Sequence, residues 1–246
     1  MSGENTRLDQ RLVDLGLAES RARAQALIRA GVVTIDGAVA DKPSRKPPPD
    51  AQIAVTADPN PWVSRAALKL VHALDRFDLD PGGAVALDVG ASTGGFTEVL
   101  LSRGAAEVHA LDVGHGQLHP RVAADPRVRN IEGVNAKDIP AGLIPAVDWI
   151  VSDVSFIGLR KALPGPLALA KPGATLVALI KPQFEVGPKH VGKGGVVADT
   201  ALHEAVRVEI RDWLTGEGWR VTGEDESPIT GGDGNREFLI AATRLR

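Results

Sequence analysis

The stretch Ala84-Val-Ala-Leu-Asp-Val-Gly-Ala-Ser-Thr-Gly-Gly-Phe-Thr97 decides how the rest of the chain is read. An apolar run of strand length enters a glycine-rich turn, and a helical pattern starts at Gly94. Gly90, Gly94 and Gly95 let the backbone approach a ligand closely, and the opening of the helix offers free N–H groups. Outward from this stretch the same rhythm repeats. Strand patterns occupy 84–89, 107–112, 128–132, 149–152, 175–181, 219–222 and 237–243. Helical patterns occupy 65–77, 94–103, 158–169 and 200–217, with a shorter one near 137–141. This alternation predicts an α/β fold, a Rossmann-like, mostly parallel, doubly wound sheet of seven strands.

The first sixty residues follow another pattern. Leu8, Leu12 and Leu15, then Ala26, Leu27 and Ala30, are apolar at helical spacing. Gly16 interrupts the run, Ser20 is placed to cap a second helix, and Gly31 to end it. A strand over 32–35 leads into Asp36-Gly37, a hairpin signal, and a further short strand falls over 52–56. Lys42-Pro-Ser-Arg-Lys-Pro-Pro-Pro49 is held extended by its prolines. The expectation is a small α+β domain over 1–57, a stiff linker over 58–64 built on Asp58-Pro-Asn-Pro-Trp62, and a large domain over 65–246.

Charge in the small domain is grouped. Arg21, Arg23 and Arg29 lie between Ser20 and Ile35 with no acid among them, and Lys42, Arg45 and Lys46 follow. With Arg7 and Arg11 they are candidate contacts to a nucleic-acid phosphate backbone. Asp9, Asp14, Glu19 and Asp36 dilute the patch, and a solvated helix face accounts for the charge equally well.

Composition bounds the remaining classes. The 246 residues are 43% hydrophobic and 24% charged, as in an ordinary soluble protein, and the net charge of −3 does not mark a nucleic-acid binder. No run approaches the ~18–20 apolar residues that span a bilayer. The N-terminus lacks the basic-then-apolar pattern of a signal peptide. A cytoplasmic protein with no membrane partner is therefore expected. The absence of cysteine excludes disulfides and thiolate metal sites. Among six histidines, His115 and His119 come closest to ligand spacing, but they flank Gly116 and precede Pro120, so no metal is expected.

The ligand of the glycine turn can be narrowed. Asp112 closes the second strand, where an acid accepts the ribose hydroxyls of an adenosine. A dinucleotide site expects Gly-x-Gly-x-x-Gly, and here Ser92 occupies the middle position and obstructs a pyrophosphate. S-adenosylmethionine carries no phosphate, and Asp88 suits its positive ammonium. The expected donor-binding set is Asp88, Gly90, Ser92, Gly94, Gly95, Phe96, Thr97 and Asp112, with Asn135 beside the adenine and Phe156 packed on it.

Four further residues carry the chemistry: Lys69, Asp153, Lys181 and Glu237. Asp153 and Lys181 end strand patterns and Glu237 opens one, so they can converge at one edge of an α/β sheet. Two lysines and two carboxylates suit methyl transfer to a ribose hydroxyl. The hydroxyl is a poor nucleophile until its proton is drawn off, and Lys181 is the candidate general base. Burial and the cation of Lys69 favour its neutral form, whereas the two carboxylates oppose it. Asp153 can orient Lys181, Lys69 can hold the hydroxyl or a phosphate, and Glu237 can fix Lys69. Two ordinary ion pairs at strand ends are the plain alternative.

The string Arg7-Leu-Asp…Leu15-Gly-Leu-Ala-Glu-Ser-Arg…Gly31-Val-Val-Thr-Ile-Asp-Gly37 resembles the alpha-L RNA-binding domain of a ribosomal small-subunit protein and several RNA-modifying enzymes. Five further strings extend the likeness: Trp62-Val-Ser-Arg-Ala-Ala-Leu-Lys-Leu70, Ser152-Asp-Val-Ser-Phe-Ile157, Ile180-Lys-Pro-Gln-Phe-Glu-Val-Gly187, Val191-Gly-Lys-Gly-Gly-Val-Val197 and Ser227-Pro-Ile-Thr-Gly-Gly-Asp-Gly-Asn-Arg-Glu-Phe238. With the glycine turn, they resemble the TlyA family of rRNA ribose 2′-O-methyltransferases, historically labelled haemolysins, whose catalytic domain is similar to the FtsJ type. The resemblance implies a methyltransferase sheet, S-adenosylmethionine as donor, and cytidine riboses of 16S and/or 23S rRNA, free or in ribosomal subunits, as substrate. It puts the family's Lys-Asp-Lys-Glu catalytic set on Lys69, Asp153, Lys181 and Glu237. Gly133-Val-Asn-Ala-Lys-Asp138 fits the family's adenine-side segment only loosely. A membrane-active haemolysin would need an apolar or amphipathic membrane segment. The stretch 158–169 is short and broken by Pro164 and Pro166. A non-catalytic RNA-binding assembly factor would not need the intact acids, glycine turn and four-residue set.

Overall fold

Residues 6–56 and 61–245 are described in a computed structural model of the chain, which divides into two units, Met1–Pro61 and Trp62–Arg246. Of the expected linker, Asp58, Pro59 and Asn60 lie outside the described residues. Trp62 and Val63 pack on the core of the second unit.

In the first unit, α1 (Leu8–Asp14) and α2 (Arg21–Arg29) cover a three-stranded antiparallel sheet of β1 (Val33–Ile35), β2 (Ala38–Val39) and β3 (Ile53–Val55), ordered β2-β1-β3. The Ser20 hydroxyl accepts from Arg23 N at 3.2 Å and starts α2. Asp36 and Gly37 both take positive φ, 51° and 81°, which is the twist a two-residue hairpin needs. The core is Leu8, Leu12, Ala24, Leu27, Ile28, Val33 and Ile35. Leu15, Ala26 and Ala30 are exposed, against the helical spacing read from the sequence. The buried stripe of α2 runs through Ala24, Leu27 and Ile28, an i, i+3, i+4 set one register away.

The second unit is a seven-stranded sheet. Its elements are α3 (Ala67–Arg76), β4 (Val85–Val89), α4 (Gly95–Ser102), β5 (Glu107–Asp112), α5 (Pro120–Ala123), β6 (Val128–Glu132), β7 (Val147–Ser152), α6 (Leu159–Ala162), α7 (Pro164–Ala168), β8 (Ala170–Ile180), α8 (Pro182–Glu185), α9 (Thr200–Gly216), β9 (Trp219–Glu226) and β10 (Phe238–Arg244). The strand order is β6-β5-β4-β7-β8-β10-β9, and β10 runs antiparallel to both its neighbours. Alternate residues of β4 serve two cores. Ala86 joins Leu70, Leu74, Val99 and Leu100 of α3 and α4 on one face, whereas Leu87 and Val89 join Leu159, Ile210 and Leu214 on the other. Both faces are covered, so the strands read as continuous apolar runs.

Three local differences have covalent causes. The single helix expected over 158–169 is two, because Pro164 lacks an N–H and restarts the chain as the first residue of α7. The helix expected near 137–141 is a 3₁₀ turn over Ala136–Asp138 that stops before Pro140. The short helices α5 and α8 were not anticipated, and each opens on a proline suited to the first helical position.

Candidate active site

Strand order reverses on either side of β4, so the turns after β4 and β7 diverge and leave a crevice at the carboxyl edge of the sheet. The four charged residues expected to converge meet there. Lys69 is in the first turn of α3, Asp153 follows β7, Lys181 follows β8, and Glu237 precedes β10. Because β10 is antiparallel, its beginning lies at the edge where the parallel strands end. Lys69 Nζ lies 2.6 Å from Glu237 Oε2 and 3.2 Å from Asp153 Oδ2, and Lys181 Nζ lies 2.7 Å from Asp153 Oδ1. The result is an alternating chain of Glu237, Lys69, Asp153 and Lys181, with both lysines and Glu237 buried. At Asp153 Oδ1 and Glu237 Oε2 the contact is one of charge. The atoms are close, but neither oxygen is in hydrogen-bond geometry.

Lys181 has a partner that charge alone does not reveal. Its Nζ donates to Ser155 Oγ at 2.8 Å and to the Asp153 carbonyl at 3.4 Å. Ser155 lies two residues after Asp153, and a serine there carries no sequence signal of its own.

Two cavities open on this chain. One of about 600 Å³ is lined by all four charged residues, with Ser64, Arg65 and Gly95 on one side and Gly231 and Gly232 on the other. The other, of about 490 Å³, is lined by Asp112, Asn135, Val113, Val134 and Ile157. Gly90, Ser92, Asp153, Ser155 and Phe156 border both. This second cavity, apolar with a few polar groups, suits a nucleoside. Each Asp112 oxygen accepts one backbone N–H, from Ser92 at 2.8 Å and Gly114 at 2.7 Å, and a carboxylate has lone pairs left for ribose hydroxyls. Asn135 Oδ1 accepts from Lys137 N at 3.1 Å, which orients its amide at the cavity wall.

The glycine turn divides by function. Gly90 takes φ +83°, and a Cβ there would stand 3.1 Å from Val154 Cγ1. Gly94, at φ +92°, faces neither cavity, and a Cβ would stand 2.7 Å from Leu118 Cδ1, so it is needed for packing. Gly95 and Phe96 reach the larger cavity. Thr97 is fully buried and faces neither.

Asp88 corrects the sequence reading. Its side chain lines neither cavity, so it is not placed to meet an ammonium. At 1% exposure its Oδ2 accepts from Thr97 N at 2.9 Å and Thr97 Oγ1 at 2.7 Å, tying β4 to the start of α4. Burial pushes its carboxyl up to about 7, against the pull of the two Thr97 hydrogen bonds.

Phe156 is 91% exposed, with φ +67°. A bulky residue in the left-handed region is an outlier that the surroundings must impose. Its ring lies 5.4 Å from that of Phe184, at the shared rim of the two cavities.

In the first unit the basic residues separate into two kinds. Asp9 is fully buried and receives Arg7 Nη2 at 2.9 Å, Arg21 Nη2 at 3.3 Å and Gln25 Nε2 at 2.8 Å. Arg7 and these neighbours hold the Asp9 carboxyl well below the usual range. Arg11 donates to the carbonyls of Pro47, Pro48 and Pro49 and so pins the proline segment to α1. Arg7 and Arg11 are therefore occupied within the unit, which corrects their reading as free phosphate contacts, and Arg21 also reaches Asp9 while staying exposed. Arg21, Arg29, Lys42, Arg45 and Lys46 are exposed, and Arg23 is half-buried. Among the described residues, no group of three or more His, Asp or Glu could hold a metal ion, and no helix is long and apolar enough to cross a membrane.

Comparisons with known proteins agree with this geometry. The FtsJ-like methyltransferase family model matches residues 62–244, and the S4 domain model matches residues 6–53. The chain is 45% identical over 236 residues to the 16S/23S rRNA (cytidine-2′-O)-methyltransferase TlyA of Mycobacterium tuberculosis, covering 95% of this chain and 88% of that protein. It is 40% identical to Hemolysin A of Brachyspira hyodysenteriae, covering 95% and 98%. A solved structure from Streptococcus thermophilus, described as a candidate hemolysin, superposes with a TM-score of 0.76 at 36% identity, covering 99% of this chain and 90% of that one. An FtsJ-like match over three-quarters of its length and the close likeness to TlyA over nearly all of it mean that this chain belongs to the TlyA family of FtsJ-like methyltransferases carrying an S4 domain.

Proposed function

We propose that this chain transfers the methyl group of S-adenosylmethionine to the ribose 2′-hydroxyl of a cytidine in 16S and/or 23S rRNA. The observation that carries the reading is the Glu237–Lys69–Asp153–Lys181 chain on the wall of a cavity that borders a nucleoside-sized one. The activity named for the Mycobacterium tuberculosis relative supports the same substrate.

The smaller cavity fits the donor. Asp112 holds the adenosine ribose, Asn135 meets the adenine, and Phe156 covers the shared rim. Gly90 and Ser92 bring backbone close to the remainder. When bound, S-adenosylmethionine supplies an electrophilic methyl group on a sulfonium, so no metal is needed. Lys181 acts as the neutral amine, its ammonium proton having passed to solvent before the step, and takes the 2′-hydroxyl proton at Nζ in an orientation set by Asp153 and Ser155. Lys69 holds the acceptor oxygen or a neighbouring phosphate, and Glu237 holds Lys69. Keeping the acceptor hydroxyl in line with the methyl carbon accounts for much of the acceleration.

Residues 1–57 act as the RNA-binding part and 65–246 as the catalytic part. Arg21, Arg23, Arg29, Lys42, Arg45 and Lys46 contact the phosphate backbone, and a cytoplasmic location goes with that substrate. Ribose-methylation mapping of rRNA from cells with and without this protein tests the reading. One or more cytidine 2′-O-methyl marks should vanish with the protein. Identical maps, together with no labelled methyl transfer to rRNA in vitro, would exclude it.

A further inference from the structure

Two glycine-rich strings, 191–197 and 227–238, contribute only Glu237 to the charged chain. The fold brings them together through one side chain. Asn235 is 1% exposed. Its Oδ1 accepts from Val197 N at 3.0 Å and its Nδ2 donates to Gly195 O at 2.9 Å. An N–H only donates and a carbonyl only accepts, so a single orientation of the amide satisfies both. The Asn235 carbonyl accepts from Gly231 N at 2.9 Å. Gly231 lies so close to the charged chain that a Cβ there would stand 2.6 Å from Glu237 Oε1. Val197 is held from a second side as well. Its carbonyl accepts from His203 Nε2 of α9 at 2.8 Å, and the His203 ring lies 5.6 Å from that of Phe238.

Both loops border the larger cavity through Val191, Gly195, Gly231 and Gly232. Segments so rich in glycine lose more freedom on ordering than other chain does. Breaking the Asn235 bridge would strand the buried Val197 N–H and the half-buried Gly195 carbonyl, which is what makes one amide an effective lock.

We propose that Asn235 is a positioning residue for the transfer reaction. It locks the two glycine loops as the acceptor-side wall and, through Gly231, sets the Glu237 carboxylate that holds Lys69. The proposal rests on the methyltransferase reading of the site.

Asn235→Asp tests it in the full-length protein, because it keeps size and shape while turning a carboxylate oxygen toward Gly195 O. At saturating S-adenosylmethionine, kcat for transfer to rRNA should fall at least about tenfold, since an ångström of misplacement costs up to about a hundredfold. KM for rRNA and the donor Kd should change by less than about threefold. His203→Leu loosens Val197 without adding charge, and covers the case in which the buried carboxylate prevents folding. It should lower kcat in the same direction, and His203→Gln, which keeps an N–H for Val197 O, should recover most of the loss. Amide exchange at Val197 and Gly231 should speed up in Asn235→Asp. Undiminished kcat in both Asn235→Asp and His203→Leu overturns the proposal, as does a donor Kd that rises in step with the kcat loss. Wild-type protein that labels no rRNA overturns the methyltransferase reading instead, and unchanged exchange at Val197 and Gly231 would then remove the lock on its own.

Discussion

Lys69 Nζ sits 2.6 Å from Glu237 Oε2, joining the first turn of α3 to the entrance of β10 across 168 residues of sequence, 237 minus 69. Both side chains are buried, at 8% and 3% exposure. Removing one member of such a pair leaves the other charge without full compensation. Glu237→Ala should therefore destabilise the second unit by about 3 kcal/mol, somewhat relieved by Asp153, which still faces Lys69. Urea unfolding followed by tryptophan fluorescence reads this, and an unchanged midpoint would mean the pair is not formed in solution.

Lys181→Ala should remove proton transfer and little else. The side chain lines the larger cavity and not the nucleoside-sized one. Turnover on rRNA should drop by about 10²–10⁴-fold, with S-adenosylmethionine affinity by calorimetry nearly intact. Full activity in this variant would take Lys181 out of the mechanism.

Asp88 gives the fold an unusual pH response. Its carboxyl is pushed up to about 7, well above the ordinary aspartate value of about 4, so between the two the native state binds more protons than the unfolded chain. The Asp88 contribution to stability therefore declines as pH rises from about 4 to about 7 and is level above that. The change is on the order of 4 kcal/mol across the window. Asp88→Asn imitates the protonated form and lacks this titration. The stability difference between wild type and Asp88→Asn should move in favour of the variant as pH rises from 4 to 7. A difference independent of pH would show that Asp88 is ionised throughout.

Gly90→Ala probes the donor turn. The position has φ +83° and its Cβ would meet Val154 at 3.1 Å. Left-handed backbone costs a residue with a Cβ about 1–2 kcal/mol. Gly90 borders both cavities, so the distortion should weaken S-adenosylmethionine binding by on the order of tenfold and leave RNA affinity unchanged. Equal losses in both would point to general unfolding.

Two basic residues of the first unit should behave differently. Lys46 is exposed and Arg11 pins the proline segment. Lys46→Ala should lower the salt dependence of RNA binding by about one unit of slope without changing the melting temperature. Arg11→Ala should lower the melting temperature of the first unit. The reverse assignment would show that Arg11 faces RNA after all.

The strand rhythm and the hairpin at Asp36-Gly37 were legible because each depends on a local rule of backbone geometry. The meeting of Asp153 and Lys181 was legible because parallel strands deliver their ends to one edge, whereas Lys69 joins them from α3 and Glu237 from the start of the antiparallel β10. What escaped was set by side-chain contacts that leave no periodic or charge signal in the sequence. Asp88 reads as a partner for the donor's ammonium until Thr97 folds over it. Arg7 and Arg11 read as free cations until Asp9 and the proline carbonyls claim them. Ser155 and Asn235 have no charge or period to mark them, and their importance lies only in which atoms they face. The buried stripe of α2 was misread because alanine fits either face of a helix.

The reversed direction of β10 makes the charged chain depend on the last strand of the polypeptide. β4, β5, β6, β7 and β8 form a parallel block that already contains the nucleoside-sized cavity, Asp153 and Lys181. Glu237 arrives only when β10 slots between β8 and β9. Truncation before Glu237 and β10 would therefore remove the acid that restrains Lys69 while keeping every residue that lines the nucleoside-sized cavity.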